Sequence, residues 1–413
     1  MSNALGQNLA PENGPLPAED PRVHDFRSDL GVRLTGAFLP SRFRFYVYFV
    51  YIFISLQVAS GVAALFGAID ITFRERLVMV GMMFLTVTQI GLLITDRMFY
   101  RKLDLTMDFF YRCCAKKRYD IGTEFSIMEG RVSKIKNMLN ILTRLLEGVF
   151  FMFLSYEQIS AAISGRDWIR LPAAFYVPGY KLSLFHYGGA MLFFAIYALV
   201  QISHFYSVPC IFVSVVSQIL VQYDILLESI SLLDERARAK MEILGCADFN
   251  ESRKICFNES MLHYREIIGC TEIIKPYLNS LFSLLTILCS MTIATTGFVA
   301  YDAFNDGSYL EVLLQTSRVV AISLLAFNCC SYGQQLITKI DELSFALYDN
   351  EWYNMPIALR RDLRFAQLST AKPLVIKSLL NVPASMKTYY EFFSTALNVM
   401  MIFVNIKGKY RNH

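Results

Sequence analysis

Residues 281–300 read LFSLLTILCSMTIATTGFVA, twenty positions without a single charged side chain. A hydrocarbon layer about 30 Å thick takes roughly 20 mostly apolar residues of helix, so this stretch alone predicts a membrane crossing. Working outward from it, comparable runs occupy Phe45–Ile69, Leu77–Thr95 and Glu311–Ser331. Met138–Ser164 and Tyr187–Leu220 are interrupted by polar residues, and Thr388–Ile406 is the most polar of the set. Of the 413 residues 54% are hydrophobic and 18% charged, against roughly 25% charged in soluble proteins. The pattern predicts an all-α membrane protein with seven transmembrane helices. The first 40 residues are polar and proline-rich, as in Pro11-Glu12-Asn13-Gly14-Pro15, so the first run is expected to act as an uncleaved insertion signal.

Orientation follows from Lys and Arg, which are retained on the cytoplasmic side during insertion. With the segments between runs numbered in order, the odd ones carry 29 Lys and Arg and the even ones 8. The amino terminus is therefore expected in the cytoplasm and the carboxy terminus outside, the reverse of a G-protein-coupled receptor. The last run also lacks that class's Asn-Pro-x-x-Tyr pattern. All nine cysteines fall in runs or in segments assigned to the cytoplasm, so external disulfides are not expected. The pairs Cys113-Cys114 and Cys329-Cys330 lack metal-ligand spacing, and His24, His186, His204, His263 and His413 are scattered. With no phosphate-binding glycine loop either, the sequence predicts no enzyme, no metal, no cofactor and no nucleic-acid partner. Two duplicated halves would suit a secondary transporter, and no internal repeat is present.

Four parts follow: a cytoplasmic segment 1–44, a six-helix bundle with cytoplasmic extensions over 45–331, cytoplasmic anchor helices over 332–387, and the seventh helix with a short external tail over 388–413. Leu226, Leu227, Ile230, Leu233, Met241 and Leu244 recur at helical spacing among charges, so the fourth helix should run well past the membrane surface. Ile340–Arg364 reads as one amphipathic helix, followed by a break at Pro373. Arg144 and Glu147 are three apart and can pair on one helix face. Glu157 lies deeper without an evident partner and is a functional candidate. His204 is a titratable group within the fourth run.

The seventh run carries the most information. At about 100° per residue, Glu391, Ser394, Thr395, Asn398, Ile402 and Asn405 fall within an arc of roughly 100°. Phe392, Phe393, Ala396, Leu397, Met400, Phe403 and Val404 make the other face. A polar stripe is expensive against lipid, so it should face either packed protein or a water-filled path. One helix cannot enclose a pore, and a pore reading requires several copies around a symmetry axis. Thr395, Asn398, Ile402, Asn405 and Ile406 would then line it, with Ile402 the natural apolar constriction.

The stretch Tyr348–Leu374, YDNEWYNMPIALRRDLRFAQLSTAKPL, resembles the carboxy-terminal signature of insect odorant receptors. The matching residues are the Trp352-Tyr353 pair, Arg360 and Arg361 of a basic helix, and the Lys372-Pro373 step. The resemblance implies four subunits around a central cation pore lined by the last helix, with cytoplasmic helices making most of the subunit contact. Ile402-Phe403-Val404-Asn405-Ile406-Lys407 is similar to the end of that family's shared co-receptor, with Ile402 at its valine gate and Asn405 at a glutamine. The chain lacks the co-receptor's long insertion before the fifth helix and continues six residues past Lys407. It therefore looks like an odorant-tuning subunit, with the co-receptor as partner in a heterotetramer, a homotetramer remaining open. Its expected location is the plasma membrane of olfactory neuron dendrites. Thr388-Tyr389 is similar to the start of the last helix in gustatory receptors, though the later Gln-Phe of that group is absent.

The same resemblance implies a pocket for small volatile ligands within the external half of the bundle, between the second, third, fourth and sixth helices. Such a pocket should be mostly apolar with a few orienting polar groups. Met83, Phe84 and Val87 represent the second helix there, and Tyr156, Ser160 and Ile163 the third. Tyr187, Met191 and Phe194 follow on the fourth, beside Gly188 and Gly189, and Val319, Val320 and Ser323 on the sixth. Trp168 is placed to cap the site or to anchor the membrane boundary.

Overall fold

The computed structural model describes residues 73–115, 123–164, 184–244, 248–370 and 374–411, together with Val62 and Tyr119. Eight α-helices account for most of them: α1 (Phe73–Ala115), α2 (Glu124–Ser164), α3 (Leu184–Ser231), α4 (Leu233–Leu244), α5 (Phe249–Asn305), α6 (Tyr309–Asp349), α7 (Ile357–Thr370) and α8 (Met386–Arg411). A 3-10 turn, Trp352–Asn354, separates α6 from α7. Segment 1–44 and all of Phe45–Ile69 except Val62 lie outside the described residues, as do Trp168 and the side chains of Glu147, Glu157 and His204. Arg144 is exposed on α2.

The charge-free stretch 281–300 is the last third of α5, a helix of 57 residues. At 1.5 Å per residue α5 is about 85 Å long, more than twice the hydrocarbon thickness, so most of it projects beyond a membrane. Its start is fixed by Asp248, whose carboxylate accepts the Asn250 backbone N–H at 2.9 Å, an N-cap that satisfies one orphan donor of the first turn. Five of the six hydroxyl-bearing residues inside the apolar stretch bond to their own helix. Ser283, Ser290, Thr292 and Thr295 each donate to the carbonyl four residues earlier, and Thr286 to that of Ser283, at 2.6–2.9 Å. A hydroxyl bonded to its own helix can sit in hydrocarbon without an outside partner.

Around this spine α1, α3, α4, α6 and α8 are all packed. The Ser207–Ser231 part of α3 is the most enclosed, with 89% of its apolar window buried, whereas α6 buries 33% of its own. The first is therefore a central post and the second a peripheral helix. Both, like α5, are long and apolar enough to cross a membrane. Phe212 of α3 meets Phe282 of α5 with ring centroids 6.0 Å apart, and Tyr223, Tyr277 and Phe257 complete the buried centre.

The helix expected over Ile340–Arg364 is two helices. Asn350 ends α6, its side-chain amide donating to the Ala346 carbonyl at 2.8 Å. Met355 is extended, with φ −88° and ψ 152°, because the ring of Pro356 disfavours helical geometry in the residue before it. The chain restarts as α7, whose Leu359, Leu363 and Ala366 are buried while Ile357, Phe365 and Leu368 stay exposed.

Charged groups lock the projecting half. Asp224 of α3 receives Arg131 of α2 at 2.5 Å and Lys339 of α6 at 3.1 Å. Asp234 of α4 pairs with Arg253 of α5 at 2.6 Å, and Glu259 of α5 takes both Arg236 and Lys240 of α4. Tyr119 donates to or accepts from His263 Nδ1 at 2.8 Å, and the His263 Nε2 meets Gln222 Oε1 at 3.1 Å. The Arg236 guanidinium lies 4.3 Å from the centre of the Tyr119 ring. Burial pulls the Lys339 ammonium toward neutrality, but its bonds to Glu342 and Asp224 outweigh that and leave its pKa raised. Its contribution is present through neutral pH and is lost only as pH rises through the elevated folded-state value. Asp224→Ala removes the shared carboxylate of two part-buried cations, at about 1.5–3 kcal/mol for the hydrogen bonds to charge that disappear. The solubilised full chain should melt several degrees lower, and an unchanged melting temperature would remove Asp224 as the junction of α2, α3 and α6.

Candidate functional site

The final helix is held at its entrance by backbone. Residues 376–384 fold back on themselves, with the Ala384 N–H on the Ile376 carbonyl and the Ser378 N–H on the Val382 carbonyl, both at 2.8 Å. Asn381 turns the chain at φ 61°, a left-handed position that asparagine tolerates better than most residues. This turn docks on α5: the Lys377 N–H donates to Asn279 Oδ1 at 2.9 Å and the Leu379 N–H to Ser283 Oγ at 2.7 Å. Ser385 then caps α8, its Oγ accepting the Thr388 N–H at 3.3 Å. Gly333 of α6 lies directly under the entrance, where a Cβ would stand 2.4 Å from the Ala384 carbonyl oxygen.

Two different surfaces run along α8. Ala396 is fully buried, and Phe392, Phe393, Met400, Phe403 and Val404 are half-buried against α5 and α6. Tyr389 meets Phe327 of α6 edge-on at 5.7 Å, and Phe403 meets Phe298 of α5 edge-on at 6.3 Å. Between the first turns of α8 and the neighbouring helices is a cavity of about 10 Å³ lined by Phe282, Leu285, Thr286, Ala326, Cys330, Thr388 and Phe392. That is room for about one water. On the opposite side, Glu391, Ser394, Thr395, Asn398, Ile402 and Asn405 are all exposed in the single subunit, Ile402 by 54%, and so is Ile406. Leu397, expected on the packed side, is exposed instead, because at about 240° on the helical wheel it lies beyond the strip that α5 and α6 cover.

The residues proposed for a ligand pocket are placed unevenly. Met83 and Val319 are half-buried. Ser323 is half-buried, and its Oγ is buried without a hydrogen-bond partner. Phe84, Val87 and Val320 point off the bundle, Val87 with 61% of its surface exposed. The backbones of Tyr156, Ser160, Ile163, Tyr187, Met191 and Phe194 belong to α2 and α3, and their side chains lie outside the described residues. Elsewhere, an open groove of about 470 Å³ is lined by Asp341, Ser344, Phe345 and Tyr348 of α6 and Gln367 of α7. In the signature stretch Trp352 packs edge-on against Tyr353 at 6.2 Å. Arg360 Nε donates to the Met355 carbonyl at 2.8 Å, Arg361 is exposed, and Lys372 and Pro373 lie outside the described residues.

Two residues given no role in the packing by the sequence bear on the site. Lys407, counted there as the start of an external tail, continues α8 and forms an ion pair with Asp302 of α5, which is only 3% exposed. The signal was present on the helical wheel. With Glu391 at 0°, Lys407 falls at about 160°, midway across the packed face from Phe392 at about 100° to Val404 at about 220°.

An all-helical architecture whose last helix has one packed and one uncovered polar face is the setting in which the comparisons with known proteins fall. The family model described as 7tm Odorant receptor matches residues 71–397. The chain belongs to this odorant receptor family and is a membrane protein. Two solved structures are similar to it over 98% of this chain and 97% of theirs. One is the insect olfactory receptor OR5 from Machilis hrabei, with a TM-score of 0.70 at 13% identity. The other is the same receptor in complex with eugenol, with a TM-score of 0.68 at 12% identity. No curated sequence matches the chain.

Gly333→Ala sets a methyl group against backbone rather than against a flexible side chain, an overpacking of about 1–3 kcal/mol. The full chain should melt lower, whereas Gly130→Ala, whose new methyl meets nothing within 4 Å, should be neutral or slightly stabilising. Equal melting temperatures for the two variants would contradict the close approach of α6 to the α8 entrance.

Proposed function

We propose that the chain is an odorant-tuning subunit of a ligand-gated, non-selective cation channel, assembled as a tetramer with a co-receptor subunit and lined by α8. The observation that carries this reading is the uncovered polar stripe. Thr395, Asn398 and Asn405 are exposed in the subunit, and an unpartnered amide moved from water into hydrocarbon costs roughly 2–7 kcal/mol. Lipid is therefore a poor neighbour for this face, and copies of it around an axis with water between them satisfy it. Ile402 is the constriction, closing the path by dewetting until the helices separate.

The amino terminus is cytoplasmic and the projecting helices form the cytoplasmic anchor, in keeping with the excess of 29 over 8 basic residues. The ligand is a small volatile molecule that binds among α1, α2, α3 and α6 and favours the open arrangement through differential affinity. One similar solved structure is a receptor in complex with eugenol, which makes eugenol a reasonable member of a first panel. The receiving membrane is that of an olfactory neuron dendrite.

Whole-cell recording from a non-insect cell expressing the chain with and without an insect co-receptor, under a G-protein blocker, tests the reading. Rapid, blocker-insensitive cation current evoked by volatiles is expected, and its dependence on the co-receptor distinguishes heteromer from homomer. Surface-expressed protein that stays silent in both conditions would count against the channel. Ile402→Ser should raise ligand-free current several-fold, and unchanged basal and evoked currents would reject Ile402 as the gate.

A further inference from the structure

We infer that the Asp302–Lys407 ion pair is the coupling between the receptor bundle and α8, fixing the height and rotation of Ile402; the inference rests on the channel reading above. The second half of α8 touches α5 along a seam. A Cβ at Gly297 would lie 2.9 Å from the Met400 sulfur, Phe298 meets Phe403 edge-on, and Met400, Phe403 and Val404 pack against the cluster of Leu77, Phe298 and Val299. Contacts of this kind are non-directional and can slide. The ion pair that ends the seam cannot.

Asp302 is almost wholly buried, and its partner is the Lys407 ammonium from the middle of the packed face of α8. Separating them leaves an almost wholly buried carboxylate without its counter-charge, which is strongly unfavourable. Sliding α8 by one turn or rotating it by a quarter removes Lys407 from reach. Ile402 lies five residues earlier, about 7.5 Å along the axis, on the exposed side. The pair therefore sets where that apolar side chain stands, and a displacement of the end of α5 carries the end of α8 with it. Asp302 and Lys407 are positioning residues, since neither faces the proposed water path.

The test compares Asp302→Asn, Lys407→Met and the swapped double variant Asp302→Lys with Lys407→Asp in the full chain, expressed with the co-receptor and normalised to surface protein. Ligand-free current and the response to a volatile panel that includes eugenol are recorded. Each single variant is expected to change ligand-free current at least threefold, and both in the same direction. The panel response should fall by a similar factor, and the swap should return both quantities to within twofold of the parent. Single variants within twofold of a working parent overturn the coupling while leaving the channel intact. So does a swap no better than the single variants, because a loss of packing alone would not be rescued by exchanging charges. A surface-expressed parent that passes no current overturns the channel reading itself, and the coupling falls with it.

Discussion

The two-sidedness of the final helix governs the rest of the molecule. Phe392, Phe393, Ala396, Met400, Phe403 and Val404 are covered by α5 and α6, while Thr395, Asn398 and Asn405 are not covered by anything in the subunit. A helix with one such face cannot be satisfied by lipid on its other side, nor can it turn round without exposing its aromatic side chains. Its own subunit is thus half of its environment, and on the channel reading proposed above water and further copies supply the rest. This constraint explains why α8 is held so firmly at its entrance. The backbone bonds from Lys377 and Leu379 to Asn279 and Ser283, with Gly333 beneath the Ala384 carbonyl, fix which face points inward before the helix begins.

The spine that receives α8 solves a related problem by different means. The stretch 281–300 contains six hydroxyl-bearing residues in addition to its aliphatic ones, and a polar side chain in hydrocarbon ordinarily needs a partner from another helix. Here Ser283, Thr286, Ser290, Thr292 and Thr295 find theirs on the α5 backbone. The helix is then free to use van der Waals contact with its neighbours. Gly81 of α1 comes close enough to Thr295 that a Cβ there would be 3.1 Å from its Oγ1, and Gly297 does the same for Met400. Small residues let helices approach closely where no hydrophobic effect drives them together.

Much of this was legible in the sequence because it depends on local periodicity. The apolar runs at Leu77–Thr95, Leu281–Ala300 and Glu311–Ser331 lie within α1, α5 and α6, since backbone satisfaction in hydrocarbon leaves few alternatives to helix. The stripe on α8 was readable for the same reason. What escaped depends on tertiary geometry. Ile340–Arg364 keeps an amphipathic rhythm through Pro356, and the break appears only when the effect of that ring on Met355 is weighed. Phe84, Val87 and Val320 have suitable chemistry for a pocket, yet they point off the bundle, because composition does not say which side of a largely apolar helix faces its neighbours. Lys407 was hidden by a boundary drawn at the last apolar residue rather than at the end of the helical face.

Among the described residues, the two ends of α5 are held by different kinds of contact. In the projecting half, Asp224, Asp234 and Glu259 each bind cations from other helices, and His263 links Tyr119 to Gln222 in a fully buried site. Such networks have directional partners, and shifting one helix breaks several of them at once. Among the described residues, the other end of α5 meets α8 through the apolar seam of Leu77, Phe298, Val299, Met400, Phe403 and Val404, closed by Asp302 and Lys407. An apolar seam has many arrangements of similar energy, whereas a charge network has few. The last turns of α8 thus owe their register on α5 to a single ion pair, whereas the projecting half is held by several partners at once.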